Sequence, residues 1–125
     1  MNAAQESTTT GGDAAELGDV PTVVAAHQAA HEARDVEREL ACFAEHASVT
    51  DEGHTYRGLA EIRAWLGRAA NEYTYTSELT AVRQDDAEHW TAMRHLEGDF
   101  PGGVVDLRYR YTLDADRIVH LTIAP

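Results

Sequence analysis

The stretch VVDLRYRYTLDADRIVHLTIA, residues 104–124, decides the fold. Val105, Leu107, Tyr109, Tyr111 and Leu113 alternate with Asp106, Arg108 and Arg110, the period-two pattern of a strand with one buried face. Asp114-Ala115-Asp116 breaks the run, and Val119, Leu121 and Ile123 resume it as core positions of a partner strand. Reading back toward the N-terminus, the same period holds over 88–97 and 74–83, with breaks at Asp85-Asp86 and between Gly98 and Gly103. Four long strands, 74–83, 88–97, 104–113 and 117–123, joined by short links, predict an antiparallel meander.

Before Tyr73 the period is helical. Asp19 caps a first helix with Pro21 in its first turn, running to about Arg34. Val20, Val23, Val24, Ala26 and Ala30 form its apolar stripe, and His27 and His31 fall within it, so two imidazoles face inward. Asp35 caps a second helix whose buried stripe is Val36, Leu40, Phe43, Ala44 and Ala47. Ser48–Asp51 and His54–Arg57 flank Glu52-Gly53 as a short hairpin, ended by Gly58. A third helix follows with Leu59, Ile62, Trp65, Leu66, Ala69 and Ala70 on one side, stopping near Asn71. Helices first and strands afterwards is the α+β order. The expected fold is a cone-like curved antiparallel sheet, four long strands plus a short hairpin, with three helices enclosing a pocket. Residues 1–18 are small and polar and are expected to be a flexible tail, leaving 19–125 as a single domain.

The 125 residues carry 22 acidic side chains against 10 basic ones, and every basic one is Arg. A net charge of −12 argues against nucleic acid or an anionic membrane as partner, because both polyanions recruit basic patches. Cys42 is the only cysteine, so an intramolecular disulfide and a Cys-rich zinc site are excluded. The N-terminal residues lack a signal-peptide pattern and no stretch is long and apolar enough to span a bilayer, so a cytoplasmic location is expected. No Gly-rich dinucleotide loop is present, and no cofactor is expected.

The element order resembles the nuclear transport factor 2-like superfamily, which includes SnoaL-like and ketosteroid isomerase-like domains. Three segments carry the resemblance: Cys42 through Asp51, Tyr56-Arg57-Gly58-Leu59-Ala60-Glu61-Ile62, and Leu113-Asp114-Ala115-Asp116-Arg117-Ile118. An ungapped register from His27 to Asp51 sets Asp51 where ketosteroid isomerase carries its general-base aspartate and His27 where it carries an oxyanion-binding tyrosine. Tyr109 falls where the isomerase has its second donor, a protonated aspartate. Asp51 matches that pattern and the other two positions depart from it. Polyketide cyclases of the SnoaL type imply an acid/base pair, which Asp51 with His27 or His95 could supply. The Arg-x-Asp of limonene epoxide hydrolases is matched only by Arg83-Gln84-Asp85, which runs into a turn.

The resemblance implies a small-molecule isomerase or cyclase moving a proton on an apolar carbonyl compound, with Asp51 as base and His27 and Tyr109 as oxyanion donors. The pocket is expected to be lined by His31, Phe43, Trp65, Trp90, His95, Tyr111 and Leu121. The alternative is a hydrophobic-ligand-binding or dimerising accessory domain, because this fold fixes a cavity but not a reaction. His27 and His31 stand at a zinc-binding spacing, but the glutamate of the metalloprotease helix is missing and a third ligand would have to come from Asp51 or the strands. No metal is therefore expected. Alternation alone leaves open which face of 88–97 looks inward, Trp90, Ala92, Arg94 and Leu96 or Thr91, Met93, His95 and Glu97. Arg108 and Arg110 lie on the outer sheet face, where a homodimer is expected to form.

Overall fold

The computed structural model describes residues 20–69 and 73–125. Its elements are α1 (Thr22–Ala33), α2 (Val36–Ala41), β1 (Phe43–Asp51), β2 (His54–Arg57), α3 (Gly58–Ala69), β3 (Tyr75–Gln84), β4 (His89–Gly98), β5 (Val104–Asp114) and β6 (Arg117–Ala124). The expected tail, the Asp19 cap and the end of the third helix near Asn71 lie outside the described residues. Among the described residues no helix is long and apolar enough to cross a membrane.

The six strands form one sheet in the order β2-β1-β6-β5-β4-β3. The four-strand meander falls where period-two alternation predicts it, and each of its links is short. The seam between β1 and β6 is parallel, unlike every other pairing in the sheet. A parallel neighbour needs a long crossover, and α3 with β2 to β5 supplies it.

The second helix corrects the sequence reading. Leu40, Phe43, Ala44 and Ala47 have helical spacing, yet the helix ends at Ala41 and Phe43 opens β1. Phe43 pairs with Ile118, and the Ile118 N–H donates to Cys42 O at 2.9 Å. A partner distant in sequence thus overrides the local period. Two smaller corrections follow the same logic. Pro21 is the N-cap residue itself, one position before the helix. Val119 is the extra residue of a bulge in β6, so Ile118 is fully buried and Val119 is half-buried.

Cross-strand register builds the concave face. Asp51, Ile123, Tyr109, Ala92 and Val82 stand opposite one another in a single row across five strands. Two residues along, Val49, Leu121, Tyr111, Trp90 and Gln84 make the next row. Because directly opposed residues point to the same side, each row is a line of side chains on one face. Val49, Leu121 and Tyr111 are sealed in the core with Val24, Phe43, Ile62 and Ile118, beneath the helices.

The α1–α2 turn sets what faces what. Arg34 adopts a left-handed conformation (φ 58°), so its own N–H reaches His31 O and the Asp35 N–H reaches Ala30 O at 2.9 Å. Asp35 then caps α2 by accepting from Arg38 N at 3.2 Å. At the far end of the sheet Gly98 pairs with Tyr75, and a Cβ there would collide with Thr74 O and the Tyr75 backbone. That close approach folds Phe100 against Tyr73 and Tyr75, with ring centroids 6.1 and 6.5 Å apart, as an aromatic rim.

The β1–β2 hairpin closes with Asp51 paired to His54 and two left-handed residues between them, Glu52 (φ 54°) and Gly53 (φ 77°). Glycine is at ease there and Glu52 is strained, by roughly 1 kcal/mol. Glu52→Asn should therefore raise the urea midpoint with an unchanged m-value, a gain of about 0.5–1 kcal/mol. A lower midpoint would show that Glu52 makes a contact worth more than the strain.

Candidate functional site

A pocket of about 400 Å³ opens between the concave sheet face and the helices. Leu66, Leu96, Val105, Leu107, Ile123 and the aromatic rim give it a largely apolar wall. His31, Arg34, Glu39, Asp51, Glu52 and Tyr109 are its polar groups. Asp51 and Tyr109 come from β1 and β5 and share the row described above, with Ile123 between them. Two strand spacings put their Cα atoms about 10 Å apart. Trp65, buried on α3, donates from Nε1 to Asp51 Oδ2 at 3.0 Å and so fixes the carboxylate.

Behind the opposite wall runs a buried polar network whose proton directions follow from one donor. Arg94 is 2% exposed and can only donate; it gives to Gln28 Oε1 through Nε, to Ser77 Oγ at 3.0 Å and to Glu32 Oε1 at 3.0 Å. With its oxygen engaged, Gln28 offers Nε2 to Tyr111 Oη at 2.6 Å. The Tyr111 hydroxyl then donates to His27 Nδ1 at 2.7 Å, which places the His27 proton on Nε2, facing Glu39. His27 Nε2 lies 3.0 Å from Glu39 Oε2, but the approach is too oblique for a directed hydrogen bond, and among the described residues the atom has no other partner. His31 Nδ1 reaches the same Oε2 at 2.8 Å, and His31 Nε2 is 3.2 Å from Tyr109 Oη.

Burial alone would raise the Glu39 carboxyl, but the His27 and His31 imidazoles outweigh it and hold Glu39 at about 2. Burial likewise pushes His27 below its ordinary value against the pull of Glu39. The resting pair is a carboxylate and a neutral imidazole. Burial drives the Tyr109 and Tyr111 phenols upward, so both are hydroxyl donors at neutral pH.

These positions sort the residues expected from sequence. Asp51, Tyr109, His31 and Trp65 line the pocket. His27 does not, because it is fully buried one helical turn behind His31, against Phe43 and Tyr111. Phe43, Trp90, Tyr111 and Leu121 are packed in the core rather than at the pocket wall. His95 points away, on the outer face, bonded to Asp106 and Glu97. The inward face of β4 is therefore that of Trp90, Ala92, Arg94 and Leu96.

Glu39 and Gln28 were not anticipated. Glu39 is an acidic residue on a short helix and carries no local sign of burial. Its only sequence signal is its place between Val36 and Leu40, on the inward side of α2. Gln28 sits beside His27 and is held inward by Tyr111 on β5 and Arg94 on β4.

No family model matches the sequence, and no curated protein matches it either. Solved structures do. A "putative polyketide cyclase" from Sinorhizobium meliloti is 29% identical with a TM-score of 0.79, over 86% of this chain and 97% of that one. A hypothetical protein with a ketosteroid isomerase-like fold from Catenulispora acidiphila, in complex with trimethylamine, is 18% identical with a TM-score of 0.72, over 85% of this chain and 86% of that one. A nuclear transport factor 2-like protein from Burkholderia xenovorans is 16% identical with a TM-score of 0.68, over 82% of this chain and 78% of that one. The chain has the nuclear transport factor 2-like fold, and its α+β architecture with a curved sheet is the one expected.

Removing the Tyr111 hydroxyl leaves Gln28 Nε2 and His27 Nδ1 buried without partners. Tyr111→Phe should cost about 1–3 kcal/mol, read as a lower urea midpoint. A midpoint equal to that of the wild type would show that the network adds nothing to stability.

Proposed function

We propose that the domain is a small-molecule isomerase or cyclase that moves a proton on an apolar carbonyl compound held in the pocket. The observation that carries this reading is the row Asp51–Ile123–Tyr109, a carboxylate and a phenol facing one apolar cavity from either side of an aliphatic floor. The S. meliloti protein's name and the isomerase-like fold of the C. acidiphila protein support the reaction class.

In this reading a flat carbonyl compound lies over Ile123. Tyr109 turns its hydroxyl from His31 Nε2 to the carbonyl oxygen and stabilises the charge that develops there. Asp51, held by Trp65, takes a proton from the carbon next to the carbonyl. The enolate so formed either regains the proton from Asp51 at another carbon, an isomerisation, or attacks a second carbonyl of the same molecule, whose new alkoxide takes the proton from Asp51, a cyclisation. Neither outcome consumes a redox cofactor. His27, the other donor implied by the resemblance, is fully buried away from the pocket, and His31 with Glu39 stands behind Tyr109 in its place.

The test needs no known product. Cyclic enones and aromatic polyketone fragments are incubated with the protein in deuterated water, and label entering the carbon beside the carbonyl is followed by NMR. Asp51→Asn should slow exchange by about 10²–10⁴-fold and Tyr109→Phe by about 10²–10³-fold. Exchange untouched by Asp51→Asn removes that residue from the chemistry. Binding without exchange in the wild type would favour the ligand-binding domain instead.

We also propose that two copies pair through the outer face of the sheet in the cytoplasm. Half-buried Met93 and His95 beside exposed Arg108, Arg110 and Val104 make that face mixed enough to associate. Sedimentation should give twice the chain mass, and Arg108→Glu with Arg110→Glu should halve it. A wild-type monomer at every concentration refutes the pairing.

A further inference from the structure

We infer that His27, His31 and Glu39 form a binding site for a divalent transition-metal ion on the helical wall of the pocket. The inference concerns residues separate from Asp51 and holds whether or not Asp51 is a base.

Three donor atoms converge there, all within 4.8 Å of one another. His27 Nε2 and His31 Nδ1 approach the same oxygen, Glu39 Oε2, at 3.0 and 2.8 Å. Around an ion with bonds of about 2.1 Å, neighbouring ligands stand about 3.0–3.4 Å apart. The two edges that meet at Glu39 Oε2 are already within a few tenths of an ångström of that spacing, and the third is no longer than 4.8 Å.

The second observation is the bonding state of one corner of that triangle. His27 Nε2 is sealed from water and, among the described residues, has no hydrogen-bond partner, although Glu39 is within reach of it. Buried polar atoms are nearly always satisfied, and an ion between His27 and Glu39 satisfies this one along its lone-pair direction. Charge agrees. Among the described residues the ion-pair partners of Glu39 are the two imidazoles alone, while Arg94 is committed to Glu32, Gln28 and Ser77.

The outer shell agrees as well. The second nitrogen of each imidazole meets a tyrosine hydroxyl, Tyr111 for His27 and Tyr109 for His31. Such partners orient ligating histidines and fix their tautomers. The ion displaces the two protons facing Glu39, and in neutral imidazoles these move to His27 Nδ1 and His31 Nε2; the tyrosine oxygens then accept from them, and each tyrosine hydroxyl gives up the bond it donated to that nitrogen. Two imidazoles and one carboxylate favour zinc(II), iron(II) or cobalt(II) over magnesium or calcium. Because His31 and Glu39 line the pocket and His27 lies behind them, the open positions face the cavity. A carbonyl, carboxylate or hydroxyl oxygen of the pocket's occupant would complete the sphere.

The test titrates the chelator-treated full chain with zinc chloride by calorimetry. One zinc per chain and a raised Tm are expected. Glu39→Gln and His31→Asn should each weaken binding by about 100-fold or more, beyond the 10–100-fold typical of outer-shell changes. His95→Gln, which removes a surface imidazole beside Asp106 and Glu97, should leave it unchanged. If a ligand variant fails to fold, the wild type decides, since zinc must shift the ring nitrogen resonances of His27 and His31 in NMR spectra. No uptake, loss of binding in His95→Gln, full affinity in a folded Glu39→Gln, or unmoved His27 and His31 resonances would each overturn the site. Deuterium exchange governed by Asp51 is read separately, so the two proposals fail independently.

Discussion

A carboxylate shut away from water must be surrounded by donors, and Glu39 imposes that condition on the whole helical side of the molecule. It is 2% exposed, and its oxygen is met by two imidazoles that reach it from the preceding helix. The left-handed turn at Arg34 is what swings α2 back so that this meeting can occur. From His27 the constraint passes through Tyr111 and Gln28 to Arg94, a buried cation that surfaces only through Glu32. The network ties α1 to β4 and β5 by directed bonds, whereas apolar packing alone would leave the helix free to slide.

The sheet was legible from alternation because its four long strands keep period two between unmistakable breaks. The β1–β2 hairpin was legible because Glu52-Gly53 is a turn pair set between alternating residues. Helix 2 was not, because Leu40, Phe43, Ala44 and Ala47 fit a helix as well as they fit a bent strand, and only Ile118, far along the chain, chooses between them. His27 and His31 share one stripe, so periodicity cannot tell which reaches the cavity. The seating of α1 on the sheet decides that, and it favours His31. The inward face of β4 was undecidable for a related reason. It carries Arg94, a residue that looks solvent-bound until Glu32, Gln28 and Ser77 are seen around it.

The two parts of the candidate site are held by different means. Asp51 and Tyr109 are placed by backbone register, so their separation is as rigid as the sheet. His31 and Glu39 are placed by side-chain contacts across a turn, which are softer and more easily retuned. A rigid carboxylate–phenol span facing an adjustable imidazole wall suits a fold that keeps its cavity while its occupants vary.

The parallel seam has a consequence for how the molecule comes together. β6 follows every other described element in the sequence, yet it lies between β1 and β5 and contributes the Ile123 floor. On a ribosome, Asp51 emerges long before the strand that connects it to Tyr109, and the row cannot close until that strand is inserted. Such long-range pairing is slow to form. The cavity therefore reports on completed assembly, because a nascent or half-folded chain possesses both side chains but no shared chamber for them to face.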